Sequence, residues 1–406
     1  MTSTESARAP GKLNSSLGVV LVQALNSLST VVQMVLFAIL LPREAFDDYA
    51  VWITCAMFGL GMAQGIGSDR VLIGSRTAKD GGASALVLAG AVLVGQLGVS
   101  LWLGSWELVA CSAAVGLWAI WDYLRVVQGF EEATRFLARD LGVLVLQVAS
   151  VSIAALAGLD HRSLVLVWWG IAAVGYAVFL ASTPVVRTAR LTAGARVVWG
   201  DRRESLPLLF DAALGGFPLV LALALIRSQG DPGDASAARM AFTLLGPVTV
   251  LGLAARRIVY SARAAGGFSA ATRAKFAAAV LLTFAVCVAI LAMTRTPLYP
   301  LILDGFEGLS WFAILGFAVT YAALMAAMLP AANLRADRRT TEVGLARAAS
   351  TGVALAYMVV VTPFDSVAVV AWSVAAASLA NAAVLFAVQG LRPLRRRPVA
   401  DDAVHG

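Results

Sequence analysis

Apolar residues in this chain are gathered into blocks long enough to cross a bilayer, divided by short polar interruptions. The first runs through positions 17–41, gives way to the turn LPREAFDD, and a second block follows at once from Tyr49 into GIGSDR. A helix needs roughly 20 apolar residues to traverse the hydrocarbon core. Lipid offers the backbone no hydrogen-bond partners, so each such block must be a helix. The pattern predicts twelve, over 17–41, 49–66, 85–103, 108–127, 141–159 and 164–183, then 206–226, 238–255, 276–293, 309–332, 346–361 and 367–388. It divides the chain into an N-terminal six-helix set (1–186), an arginine-rich linker (187–204), a C-terminal six-helix set (205–391) and a tail (392–406). The fold class is therefore an all-α polytopic membrane protein with about 12 transmembrane helices.

Composition agrees: 60% of the 406 residues are hydrophobic and 14% are charged, against roughly 25% charged in soluble domains. The net charge of +7 points to orientation and not to nucleic acid, because the basic residues fall in short connections between blocks. With the N-terminus in the cytoplasm, 26 of the 31 lysines and arginines lie inside. The outer side receives Arg43, Arg162, Arg227, Arg239 and Arg295. Both termini are thus expected in the cytoplasm of a plasma (inner) membrane protein. Residues 1–12 are polar and carry no signal-peptide core. Cys55, Cys111 and Cys287 lie in apolar blocks, and His161 and His405 stand apart from any ligand cluster. No disulfide framework, metal site or cofactor is expected, and the short outer connections leave no room for an enzyme active site.

Polar groups inside the blocks are costly and therefore informative. On the first helix Gln23, Asn26, Thr30 and Gln33 recur at steps that place all four on one face. That stripe either lines a hydrated cavity or bonds this helix to a neighbour. Gln96, Gln147, Ser150, Thr320 and Asn381 are weaker marks of the same kind. Asp211 lies about two turns inside the seventh helix, either as part of a coupling-ion or gating site or paired with Arg202 or Arg203 at the membrane surface. Asp69-Arg70 ends the second helix, Asp122 and Arg125 the fourth, Arg256-Arg257 the eighth, and Arg239 starts the eighth from outside. An arginine fork suits phosphate oxygens, so Arg70, Arg239 and Arg125 are candidate substrate ligands, with interfacial anchoring as the alternative. Asp69, Asp122 and Asp211 are the candidates for coupling or gating. Gly215, Gly216 and Pro218 should interrupt the seventh helix, and Gly246-Pro247 should bend the eighth.

LPREAFDDYAVW followed by GIGSDRVLIGSR resembles the opening of polysaccharide (O-antigen type) flippases of the multidrug/oligosaccharidyl-lipid/polysaccharide exporter superfamily. Pro42, Glu44, Phe46, Tyr49, Gly67 and Arg70 fill that group's pattern, and Asp48 stands where a glycine is usual. RESLPLLFDAALGG, SAARMAFTLLGPV and YPLILDGFEG extend the likeness into the second half. The resemblance implies two six-helix lobes around a central cavity that opens alternately to either side. The cargo would be an undecaprenyl-diphosphate-linked oligosaccharide, its diphosphate held by Arg70 and Arg239. Membrane lipid, H+ or Na+ as coupling ion and polysaccharide assembly proteins would be the partners. A major facilitator is the alternative, although Val71-Leu72-Ile73 separates Arg70 from the position where that family repeats its basic residues. A multidrug antiporter of the same superfamily is another, and it would want more buried acids in the first half.

Overall fold

The computed structural model describes residues 14–66, 78–102, 104–183, 191–200, 202–248, 270–296, 308–337 and 339–391. Among them all regular structure is helical. In chain order the helices are α1 (Asn14–Leu40), α2 (Arg43–Ile66), α3 (Ala78–Trp102), α4 (Trp106–Leu156), α5 (His161–Ala181) and α6 (Leu191–Gly200). They continue with α7 (Arg202–Gln229), α8 (Asp234–Leu244), α9 (Ala270–Ala292), α10 (Trp311–Ala336), α11 (Thr340–Val360) and α12 (Val367–Leu391). Eight stretches of the described residues are long and apolar enough to cross a membrane, and 27–40 and 89–102 are shorter apolar helical stretches.

Local chemistry sets several boundaries. Ser105, Asp160 and Ser310 accept hydrogen bonds from Leu108, Ser163 and Ala313 N–H at 3.2, 3.0 and 3.1 Å, so a side chain caps the first turn of α4, α5 and α10. Gly158, at φ +76, follows the end of α4 in the left-handed conformation that a glycine adopts without strain.

Three expectations change. Spans four and five are one continuous helix, α4, yet Trp121 Nε1 donates to Asp140 Oδ1 at 2.7 Å. A straight helix would hold those positions about 28 Å apart, so α4 doubles back between them. The linker 187–204 contains α6, which packs on α3; a Cβ on Gly194 would stand 2.1 Å from the Ala83 carbonyl oxygen, so only glycine permits this approach. Gly215, Gly216 and Pro218 do not interrupt α7, which runs unbroken from Arg202 to Gln229. A lone proline removes one intrahelical bond, and neighbouring helices tolerate that loss within a membrane bundle. The eighth span does break where expected, at Leu245 just before Gly246-Pro247.

Each half has its own core. The N-terminal one is built around Phe37, Tyr49, Trp121, Trp168 and Trp169, with the Phe37 ring 4.6 Å from Tyr49 and 5.5 Å from Trp168. The C-terminal one centres on Phe242, Phe317 and Ile314, the two phenylalanine rings meeting edge to face at 4.9 Å. Both halves meet along α2, α7 and α8. Helices α2 and α7 run antiparallel, since Asp48 meets Arg227 at one end and Phe58 meets Gly216 farther along. A Cβ on Gly216 would come within 2.7 Å of the Phe58 ring, so the missing side chain is what lets these helices close. Met240 of α8 belongs to the N-terminal core and Val51 of α2 packs on the C-terminal one, so the two helices interlock across the seam.

Candidate functional site

The polar stripe of α1 leads directly to a cavity. Thr30 and Gln33 form one wall, Ile53 and Met57 of α2 another, and Trp118, Gln147, Trp168, Trp169 and Tyr176 of α4 and α5 close it. The cavity itself is small, ≈ 40 Å³, room for a few water molecules. The side chains of Gln23 and Asn26, farther along the same stripe, lie outside the described residues. So do Asp69 and Arg70 as a whole, and Arg256 and Arg257. Gln147 serves as interhelical bonding as well as lining, since its Nε2 donates to the Trp168 carbonyl at 3.2 Å. Gln96 is given to bonding: it donates to the carbonyls of Cys55 and Ala56 at 2.9 and 3.0 Å.

Around this cavity lie buried N–H and O–H groups that lack an aligned partner among the described residues. They are Gln33 Nε2, Trp118 Nε1, Trp169 Nε1, Tyr49 Oη, Thr243 Oγ1 and Arg239 Nε. Tyr49 connects them: Gln33 and Trp169 reach its hydroxyl as loosely aligned hydrogen-bond partners, and Arg239 lies within electrostatic reach on the other side. Buried polar groups are nearly always satisfied.

Arg239 is the sharpest member. Its side chain leaves α8 at the seam, is only 8% exposed, and has no carboxylate in an ion pair with it among the described residues. Its electrostatic neighbours are the Tyr321, Tyr49 and Cys111 side chains, one from the C-terminal half and two from the N-terminal half. A guanidinium cannot shed its charge as a lysine can. Keeping it dry and unpaired costs several kcal/mol, which a bound anion would offset.

The other charged candidates are already occupied. Arg125, 3% exposed, is held by Asp122 and, at 3.2 Å, by Asp140, whose other oxygen takes the Trp121 N–H. This network joins the two arms of α4 and lies behind Tyr176 of the cavity wall. Asp211 pairs neither with Arg202 nor with Arg203, both of which are exposed; Arg202 instead lies over the Trp199 ring at 6.0 Å. Its oxygens are taken by Arg335 Nη2 at 2.5 Å and Arg347 Nε at 3.0 Å, which fastens α7 to α10 and α11. Asp140, Arg335 and Arg347 were invisible as partners because 15 to 136 residues separate them from the groups they hold. The aromatic wall carried a readable signal, since Trp168, Ala172 and Tyr176 recur at helical steps of four on one face of α5.

No family model matches this chain, and no curated protein does. Solved structures do match. An outward-facing multidrug resistance transporter of the MATE family, within the MOP superfamily, aligns with a TM-score of 0.60 and 12% identity over 93% of this chain and 94% of that one. A mutant of a Vibrio cholerae MATE transporter aligns with a TM-score of 0.58 and 14% identity over 94% and 98%. A Pyrococcus furiosus MOP-superfamily transporter, described as having a binding pocket of reversed polarity, aligns with a TM-score of 0.56 and 13% identity over 93% and 94%. Such a match, spanning nearly both full lengths, distinguishes this architecture from the major-facilitator alternative. This chain is a multi-pass membrane protein with the twelve-helix, two-lobe fold of the MATE transporters of the MOP superfamily.

Proposed function

We propose that this protein is an alternating-access flippase that carries an undecaprenyl-diphosphate-linked oligosaccharide outward across the plasma membrane, with both termini in the cytoplasm. The observation that carries this reading is the buried, uncompensated Arg239 at the lobe seam, beside a cavity whose unsatisfied groups are donors. A diphosphate offers charge and acceptor oxygens to such a set. Sugar rings present apolar faces to Trp118, Trp168 and Trp169 and hydroxyls to Gln33 and Gln147. Each hydroxyl stripped of water in hydrocarbon would cost several kcal/mol, and the cavity replaces that water.

At ≈ 40 Å³ the cavity is far too small for an oligosaccharide with its diphosphate. Loading therefore requires the lobes to part along α2 and α7. In this reading Arg70 completes the cationic lining beyond Arg239. Asp122 and Asp211, each bound to arginine, act in gating by fastening helix ends, while Asp69 is left as the candidate for the H+ or Na+ that drives the cycle.

An aromatic cleft also favours a second reading, export of a flat organic molecule, as in the multidrug resistance neighbour. An uncompensated arginine disfavours a cationic drug. The two are separated by titrating purified protein in nanodiscs with an undecaprenyl-diphosphate-linked glycan and with a cationic dye, following the fluorescence of the cavity tryptophans. Saturable quenching by the lipid-linked glycan, lost in Arg239→Gln, is the expected result. Quenching by the dye alone would overturn the flippase reading.

A further inference from the structure

Helix α8 begins without a cap of its own. Its N-cap residue is Gly233, at φ +106, which has no side chain to turn back onto the first N–H groups. Those groups are taken instead by Asp47, which belongs to α2 in the other lobe. Gly233 N–H donates to Asp47 Oδ2 and Ser236 N–H donates to Asp47 Oδ1, both at 2.7 Å. The carboxylate is 1% exposed. Exposed helix-start N–H groups carry partial positive charge and favour a carboxylate, so this is an N-cap in every respect except that cap and helix belong to different lobes.

The neighbouring ion pair is a useful contrast. Asp48 meets Arg227 at 2.9 Å, but the two side chains are 46% and 35% exposed, so water and salt screen it and its worth is small. Like charges also crowd the place: Asp234 lies within electrostatic reach of Asp231, Asp47 and Asp365. Attraction through the cap therefore works against acidic repulsion.

We propose that Asp47 is the latch of the outer gate. The cap exists only while α2 and α8 are apposed at the arginine-poor end of the bundle. Parting the lobes there leaves the start of α8 with no cap of its own, so the closed state is favoured by the cap and the open state must be reached by breaking it. This holds whatever the cargo is.

The test is a distance measurement across the gate. Spin labels at Leu159→Cys and Val360→Cys, both exposed at that end of their helices, are placed in a background with Cys55, Cys111 and Cys287 changed to alanine, and the protein is held in nanodiscs. Double electron–electron resonance should show mainly the short, closed distance. Asp47→Ala should raise the ratio of separated to closed lobes by about tenfold, the scale of a lost cap. Asp48→Ala should change it by less than about twofold, as a screened surface pair implies. Asp47→Asn keeps the size of the side chain and one good acceptor, and should fall between; it decides the matter if the alanine variant does not fold. Unchanged distances in both Asp47 variants, or an equal response to Asp48→Ala, would overturn the latch.

Discussion

Two arginines with the same apparent promise in the sequence have opposite fates. Arg125 is enclosed by Asp122 and Asp140 and has become part of the scaffold, while Arg239 is also buried and has no carboxylate in an ion pair with it among the described residues. The difference gives a paired prediction. Arg239→Gln removes a charge that burial penalises, so the unliganded protein should melt at the same temperature as wild type or higher. Inorganic pyrophosphate at a hundred times its dissociation constant should stabilise the wild type by about 2.7 kcal/mol, and this shift should vanish in Arg239→Gln when both are melted by differential scanning fluorimetry. Asp211→Ala should behave in the reverse manner. It leaves Arg335 and Arg347 facing one another with no shared acceptor, and unfolding measured by denaturant titration should show a loss of about 3 kcal/mol, whether or not pyrophosphate is present.

At the scale of helices, glycine decides what can approach what. The seam of α2 and α7 closes because Gly216 presents no Cβ to Phe58, where 2.7 Å would remain. Gly216→Val should therefore hold the lobes apart, reported as a longer cross-gate distance and slower transport. Phe58→Ala in the same chain should restore both, because it removes the ring that the valine meets. Helix positions were largely legible beforehand, since blocks of apolar residues map onto helices through the requirement that backbone groups be paired. What escaped was behaviour that depends on neighbours. Pro218 reads as a breaker, yet α7 runs unbroken through it, packed on α2, α11 and α12. Across the reversal inside α4, Trp121, Arg125 and Asp140 clasp its two arms.

For the whole molecule, the asymmetry of Lys and Arg predicts which face is which. A membrane-impermeant maleimide applied to intact cells should label Leu159→Cys and should not reach Val404→Cys until the membrane is opened. Labelling of both from outside would invert the topology and with it the direction of transport. In the proposed reading the two halves have different tasks. The N-terminal half encloses the aromatic cavity with its Gln33 and Trp169 donors, while the C-terminal half contributes Arg239 across the seam. Binding and opening are thereby linked, since anything that contacts both halves favours one disposition of the lobes over the other.

Membrane insertion, helical class and the succession of spans are present in the one-dimensional pattern, because each depends on sums over local stretches of apolar length against bilayer thickness; the basic residues counted side by side give the orientation that the labelling experiment tests. Thr30 and Gln33 were legible for the same reason, as polar residues recurring on one face. Partnership was not. Whether Arg239 stands alone, whether Asp211 belongs to Arg335 and Arg347, and whether Asp47 caps a helix 186 residues away depends on which helices meet and at what register. No local preference encodes that; it is settled only when two cores pack and bring distant side chains within a few ångströms.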